Sequence, residues 1–375
     1  MNVAILSINL HTKKLNYGAV LHSWYFQKLM SQRADIEICD VIDYMPPLLE
    51  NRNMRMNTLT FISLKKPRML IRNLLITPAY MRRYARFEWF IRREMRITKE
   101  CYTHERLKDA SLPYDVIVFE SDVIWAPNYF GGRFDPAFFG AMDSMRNMRR
   151  IAYSASMGNA KLTDEQKDEC RGLLQSLDAV SMRETYASAL IRSLTDKPVA
   201  DVVDPVLLAD PAEFDEITSR RIVKRDYLLV YFPINPDPYI IGCAHRYAKK
   251  HGLQVVEVSC QPVHFLRNKT YAGAGIEDFL SLIRNASVVF SNSLHGTCLS
   301  LLFHRPFYAF DRHGGEKYRD LCRKFALEDR FVANERFVEA TPIDWPRIDS
   351  LRAKYRAESL AWLDGQLKAA RAAAD

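Results

Sequence analysis

Short apolar runs alternate with longer amphipathic stretches along most of the chain. Apolar runs at residues 3–8, 36–42, 114–119, 150–158, 178–182 and 201–204 predict strands, and the stretches at 17–30, 164–177 and 185–194 predict helices between them. After a polar stretch at 215–221 the alternation resumes. Strands are expected at 227–232, 253–259, 286–290 and 306–310, with helices at 238–251, 276–283 and from Thr297 to Phe303. Runs of this length, bounded by turn residues and separated by helical patterns, point to parallel sheets built from βα units. The expected organisation is one Rossmann-like domain over residues 1–215, a second over 216–345 joined by the polar hinge, and an alanine-rich helical tail in 346–375. Two parallel units of this kind leave a cleft between the carboxyl ends of their strands.

Composition changes this picture little, and charge changes it locally. Hydrophobic residues make up 48% of the 375 and charged residues 26%, which suits a globular chain with a large core. The seven cysteines form no C-x-x-C pair, so neither a zinc knuckle nor a disulfide framework is expected, and unpaired thiols fit a reducing cytosol. The apolar start reads as a first strand and not as a signal peptide, and no run of about 18 apolar residues is present to span a membrane. Between Lys65 and Arg96 there are ten Lys or Arg against Glu88 and Glu94, a surplus equal to the net charge of +8 of the whole chain. A local basic segment suggests a local anionic partner, not nucleic acid. Within this segment, 51–97, Tyr80, Tyr84, Phe87, Ile91 and Met95 share one helical face, with Arg82, Arg86, Arg93 and Arg96 mostly on the other. That pattern suits either a solvated helix packed on its domain or an amphipathic segment resting on anionic headgroups at the inner face of the cytoplasmic membrane.

The candidate chemistry clusters after predicted strands. Ser291-Asn-Ser-Leu-His-Gly296 sits at a strand-to-helix turn, where Ser291, Asn292 or Ser293 can cap the helix and Gly296 allows close approach of a ligand. A helix start is an anion site, and His295 stands beside it; the plainer reading is a capped turn with an exposed histidine. Asn16, Ser121-Asp122 and Arg183-Glu184 occupy equivalent places after other strands. Gly18 is placed like the close-approach glycine of a dinucleotide fold, but G-x-G-x-x-G is absent and no nicotinamide cofactor is expected. Ligand residues at close sequence spacing are missing, so no metal is expected either.

Six blocks in order resemble the polysaccharide pyruvyl transferases. They are Asn16-Tyr-Gly-Ala-Val-Leu-His22, Tyr114-Asp followed by Glu120-Ser-Asp-Val-Ile-Trp125, Tyr153-Ser-Ala-Ser-Met-Gly158, Ser181-Met-Arg-Glu184, Asp204-Pro-Val-Leu-Leu208, and Ser293-Leu-His-Gly296 with Arg305-Pro-Phe307 behind it. One departure is Glu120, where the family pattern has glycine. The resemblance implies a glycosyltransferase-B-like fold whose C-terminal helix crosses back to the N-terminal domain. It implies transfer of pyruvate from phosphoenolpyruvate onto two sugar hydroxyls as a cyclic ketal, with the sugar in a bacterial surface polysaccharide or its lipid-linked repeat unit.

On that implication the donor meets Arg183, Ser293, His295, Gly296, Arg305 and Lys317, since a phosphate and a carboxylate need at least two cationic or N–H-rich anchors. The acceptor meets Asn16, Tyr17, Gly18, Glu120, Ser121 and Trp125 in the first domain. His295 fits the acid that protonates the methylene carbon, and Asp122 or Glu184 fits the base or orients the hydroxyls. Arg183-Glu184 also reads as a structural ion pair, and Asn16 to Gly18 as a tight turn supporting the cleft. Two rival readings remain: a sugar-nucleotide-dependent glycosyltransferase of the same fold, and a non-catalytic, membrane-bound polysaccharide-assembly protein.

Overall fold

The computed structural model describes residues 1–375 apart from 9, 12–14, 48–66, 234–235, 260–268, 312–315, 334–335 and 373–375, and apart from the side chains of residues 67–75. Lys65, Lys66 and Cys260, and the side chains of Arg68 and Arg72, therefore lie outside the described residues.

The first sheet consists of β1 (Asn2–Leu6), β2 (Ile38–Met45), β3 (Ile97–Thr103), β4 (Val116–Glu120), β5 (Arg149–Ala155), β6 (Ala179–Met182) and β7 (Val199–Asp201), in the order β3-β2-β1-β4-β5-β6-β7. The second consists of β8 (Tyr227–Phe232), β9 (Gln254–Ser259), β10 (Lys269–Thr270), β11 (Val288–Ser291), β12 (Phe307–Phe310) and β13 (Phe331–Val332), in the order β10-β9-β8-β11-β12-β13. Every pairing in both sheets is parallel. Both orders run 3-2-1-4-5-6 from one edge, the Rossmann order, with its switch point beside the first strand of each sheet. The fold is thus α/β with two Rossmann-like units, and the central strands are wholly buried, as a parallel sheet covered on both faces requires.

The helices are α1 (Tyr17–Ser31), α2 (Pro67–Glu94), α3 (His104–Lys108), α4 (Asp164–Leu174), α5 (Thr185–Arg192), α6 (Pro238–His251), α7 (Ile276–Arg284), α8 (Leu294–Leu302), α9 (Glu316–Lys324) and α10 (Trp345–Ala372). Sequence periodicity locates most of them to within a few residues. It does not predict β3, β10, β13, α3 or α9. The strand expected at 201–204 ends at Asp201 and passes into a 3-10 turn at Pro205–Leu208.

Helix α10 crosses between the units. Near its start Trp345 stacks on His304, Asp349 pairs with His304, and the Tyr355 hydroxyl donates to Lys324 O. Further along, Ser359 Oγ accepts from Val203 N, and Asp364 and Gln366 pair with Arg33 and Arg149 of the first unit.

Helix α2 also bridges the units, which revises the reading of the basic segment. Phe87, Ile91 and Met95 are buried as expected, but so is Arg83, whose guanidinium donates to Ser259 O at 3.0 Å and covers the Tyr17 ring at 4.5 Å. Arg86 pairs with Asp278 and Arg93 with Glu277, both on α7 of the second unit. Two of the ten cations are therefore paired, and a third is buried, at a contact inside the molecule. Arg82, Arg92, Met81 and Trp89 remain exposed.

Candidate active site

The site begins with the N-termini of α1 and α8, one from each unit. Asn16 caps α1 by accepting from Gly18 N at 3.1 Å, and Ser293 caps α8 by accepting from Gly296 N at 3.2 Å. His295 lies inside the first turn of α8, because the helix starts at Leu294 and not at Thr297 as the sequence pattern suggests. Gly18 and His22 stand four apart on α1, hence on one face. The His295 ring rests on that face. It stacks on His22 with centroids 5.2 Å apart, and a Cβ placed on Gly18 would come within 2.3 Å of His295 Nδ1. Only glycine lets the two helices approach this closely. Gly18→Ala is expected to cost about 1–3 kcal/mol by overpacking. Denaturant titration checks this, and an unchanged midpoint would mean that the ring is not held against Gly18.

The carboxyl ends of β4, β6 and β7 supply the charges. Ser121 and Asp122 follow β4 with left-handed backbone, φ 50° and 51°. Non-glycine residues adopt that conformation at a cost of about 1–2 kcal/mol, so the surrounding bonds must hold it. Glu120 is fully buried and receives His22 Nδ1 at 2.8 Å and Ser23 Oγ at 2.7 Å. Asp122 Oδ2 lies 3.8 Å from His22 Nε2. Arg183 Nε donates to Glu184 Oε1 at 3.0 Å, and its Nη1 donates to Asp204 Oδ2 at 2.7 Å and to Ser121 Oγ at 3.2 Å. Asp204 Oδ2 also lies 3.3 Å from His295 Nε2, within ion-pair reach but not aligned as a hydrogen bond. His22 Nε2, His295 Nε2 and Glu184 Oε2 are buried without a hydrogen-bond partner. A polar group entering the cluster would find these three atoms available as partners.

The electrostatics follow from the pairing. Burial opposes a charge on His22, but Glu120 and Asp122 outweigh it and raise the imidazole to about 10. Burial likewise opposes charge on Asp122 and Asp204, yet His22 and His295 respectively, with Arg183, hold both carboxyls well below the usual range. Glu184, Asp204 and Asp122 hold Arg183 above its ordinary value against burial. The signs give a pH window. The raised His22 stabilises fully below its unfolded value of 6.5 and loses that contribution as pH rises toward about 10. The depressed carboxylates stabilise above 3.8 and lose that contribution as pH falls below it. The melting temperature is therefore expected to fall from pH 6.5 to 10 in the wild type and to fall less steeply in His22→Gln. Equal slopes for the two proteins would show that His22 is not charged in the fold.

The family model for polysaccharide pyruvyl transferases matches residues 16–314, a span that carries all of these side chains. The chain belongs to the polysaccharide pyruvyl transferase family. No curated protein matches it. Among solved structures, an S. aureus MnaA–UDP complex aligns with 93% of this chain and 86% of its own, at 9% identity and TM-score 0.49. UDP-GlcNAc 2-epimerase from Methanocaldococcus jannaschii, in complex with UDP-GlcNAc and UDP, aligns with 95% and 93%, at 10% identity and 0.48. A variant of the wall teichoic acid polymerase TagF aligns with 97% and 83%, at 11% and 0.43. The fold itself rests on the two strand orders.

In this pyruvyl transferase family member the expected residues divide. Arg183, Glu184, Ser121, Asp122, Ser293, His295 and Gly296 converge at the junction of the units. Lys317 joins them: with Arg183, Glu184, Asp204, Asp320 and Lys324 it lines an enclosed space of about 20 Å³. Trp125 does not face the cleft. Its ring is fully buried against Phe139, and its Nε1 donates to Phe138 O. Arg305 precedes β12 and so lies at the amino end of the second sheet, with Nε bonded to Phe303 O. Tyr17 is buried between the units, stacked on Phe279 at 4.1 Å with its hydroxyl donated to Ala274 O. Glu120 is occupied by His22 and Ser23 and presents no free carboxylate.

Several site residues were missed. His22 reads in sequence as one more residue of an apolar helix; the signal that could have found it is the unexplained carboxylate at Glu120, which needs a buried cation. Asp204 was seen only as part of a motif. Lys324 and Asp320 lie on the unpredicted α9, where buried Tyr318, Leu321 and Cys322 provide helical spacing. The expectation of no metal rested on the lack of closely spaced ligands, whereas the fold brings His11, Asp43 and Cys101 together from distant positions, with ligand atoms within 4.8 Å of one another.

Proposed function

We propose that this protein moves the pyruvyl group of phosphoenolpyruvate onto two hydroxyls of a sugar in a bacterial surface polysaccharide or its lipid-linked repeat unit. The observation that carries the reading is the two-unit cluster of His22, Asp122, Arg183, Asp204 and His295, within the span that matches the family. The reaction forms two C–O bonds at C2 of the donor and breaks the bond from C2 to the phosphate oxygen. The hydroxyls release two protons. One ends on the methylene carbon, which becomes methyl, and the other leaves with phosphate. His295, held by Asp204, is suited to deliver the proton to carbon. Asp122 or Glu184 takes a hydroxyl proton or orients the hydroxyls. Arg183 and Lys317 provide the cationic anchors a phosphate and a carboxylate need.

The enclosed space of about 20 Å³ has room for a water-sized body and not for a three-carbon phosphate ester. His295 belongs to the second unit, and its partners Gly18, His22 and Asp204 to the first. Parting of the units at this contact opens the donor space and frees His295 Nε2 together. On the first unit, an open hollow of about 240 Å³ lined by Asn128, Asn159, Lys161 and Gln166 follows β4 and β5 and offers polar contacts to a sugar. On this reading the first unit carries the acceptor, and the second unit together with Arg183 of the first holds the donor.

The deciding experiment incubates the protein with phosphoenolpyruvate and candidate soluble and lipid-linked sugars. Phosphate release matched one to one by pyruvyl ketal on the sugar is the expected result. Hexose gain from a sugar nucleotide, without consumption of phosphoenolpyruvate, would replace this reading by the glycosyltransferase.

No described helix is long and apolar enough to cross a membrane. For a lipid-linked acceptor the surface of α2 matters. Met81 and Trp89 are 67% and 53% exposed, and Arg93 covers the Trp89 ring, with Arg82 and Arg92 exposed alongside. Each Arg near an anionic surface contributes about 1 kcal/mol, screened by salt. Salt-sensitive co-sedimentation with anionic vesicles is expected, weakened by Arg82→Gln, Arg92→Gln and Trp89→Ala together. If the wild type stays in the supernatant at low salt, α2 has no membrane role.

A further inference from the structure

The carboxyl ends of β1, β2 and β3 gather three ligand-type side chains that pyruvyl transfer does not use. His11 follows β1, Asp43 lies in β2 and Cys101 in β3. His11 Nε2 is 2.6 Å from Asp43 Oδ1 and 3.8 Å from Cys101 Sγ. The strand register creates this grouping. Val41 pairs with Ile97, so a regular ladder would set Asp43 against Lys99; the register shifts instead, and Asp43 pairs with Cys101. A bulge thus removes an ammonium from beside the carboxylate and puts a thiol there, while Lys99 turns to solvent. Bulges of this kind re-aim side chains and are over-represented next to functional sites. Cys101 is also set apart from the other described cysteines, all of which are buried.

One imidazole nitrogen, one carboxylate oxygen and one cysteine sulfur form a mixed donor set. Hard cations such as Mg²⁺ and Ca²⁺ take oxygen ligands, whereas zinc-class ions accept N, O and S together. Donors 2.0–2.3 Å from one tetrahedral ion stand about 3.3–3.8 Å apart. The His11–Cys101 separation already meets that spacing. The His11–Asp43 contact has to widen by about 1 Å, a small side-chain movement. All three residues are half-buried, so a fourth position faces solvent.

We propose that His11, Asp43 and Cys101 form a site for a zinc-class divalent cation with one position open to water or an exogenous ligand. The ion clips the loop between β1 and α1 to the ends of β2 and β3. That loop leads directly to Asn16 and Gly18, the turn that meets His295. The site does not depend on the reading of the reaction.

The test uses the full chain, reduced and stripped of metal, with Co²⁺ and Zn²⁺ as probes. One equivalent of Co²⁺ is expected to produce a near-ultraviolet thiolate-to-cobalt charge-transfer band that Zn²⁺ abolishes. Cys101→Ser removes that band, and His11→Ala weakens Zn²⁺ binding at least about 10-fold. His251→Ala, an exposed control, changes neither. Cys101→Ser replaces sulfur by oxygen and keeps the packing, so the test survives if His11→Ala fails to fold. No stoichiometric binding, or binding without a thiolate band in the wild type, or an equal band in Cys101→Ser, overturns the proposal and leaves a His–Asp hydrogen bond beside a bystander thiol.

Discussion

Replacing His295 by alanine is expected to lower kcat by about 10²–10⁴-fold while the protein still folds. The ring sits where the units meet, stacked on His22 and 3.3 Å from Asp204. A general acid at carbon must be charged, oriented and released to the substrate, and each of these acts through that contact. Asp204, 3.3 Å from Nε2, orients the imidazole. Alanine preserves α8, whose cap is Ser293 and whose buried Leu294, Cys298, Leu299, Leu301 and Leu302 stay packed. Phosphate release from phosphoenolpyruvate and thermal melting are measured side by side. A variant that melts near the wild type and turns over within about threefold of it would remove His295 from the acid role.

Arg183 is expected to show a double effect. Its Nε and Nη1 already serve Glu184, Asp204 and Ser121, so the ion pair read from the sequence is present. The residue also lines the enclosed space together with Lys317. Arg183→Met leaves two buried carboxylates without their cation and is expected to cost about 3–5 kcal/mol. Arg183→Lys keeps the charge, but one ammonium cannot hold three partners in the planar fork's geometry. It should raise the KM for phosphoenolpyruvate about tenfold or more. Denaturant titration and steady-state kinetics separate the two effects. If Arg183→Lys lowers stability and leaves KM unchanged, Arg183 is a structural residue and the donor is anchored elsewhere.

Glu120 shows how sequence and structure divide the work. As a departure from the family pattern it reads as an added cleft carboxylate. In the fold it is a buried partner for His22, and that pair fixes the ring on which His295 stacks. No local pattern links residues 22 and 120, because a helix and a strand end meet only when the sheet forms. Trp125 and Arg305 illustrate the reverse. Both sit in recognisable motifs, but Trp125 is needed to fill the core beneath the cleft, and Arg305 falls at the amino end of its strand. Motif membership says that a residue belongs to the fold; which face it takes depends on the chain around it.

By itself the sequence determined the βα alternation, the two units, a capped turn at residues 291–293, and the family. These depend on apolar periodicity and on hydrogen bonds between residues a few positions apart, which are local. Only the tertiary structure decided which cations are spent inside the molecule, that Gly18 and His22 carry His295, and that His11, Asp43 and Cys101 meet. Those pairings join residues tens to hundreds of positions apart, and their energies come from desolvation and distance. Both are properties of the packed chain, set by strand order, by one register shift and by the contact between two domains.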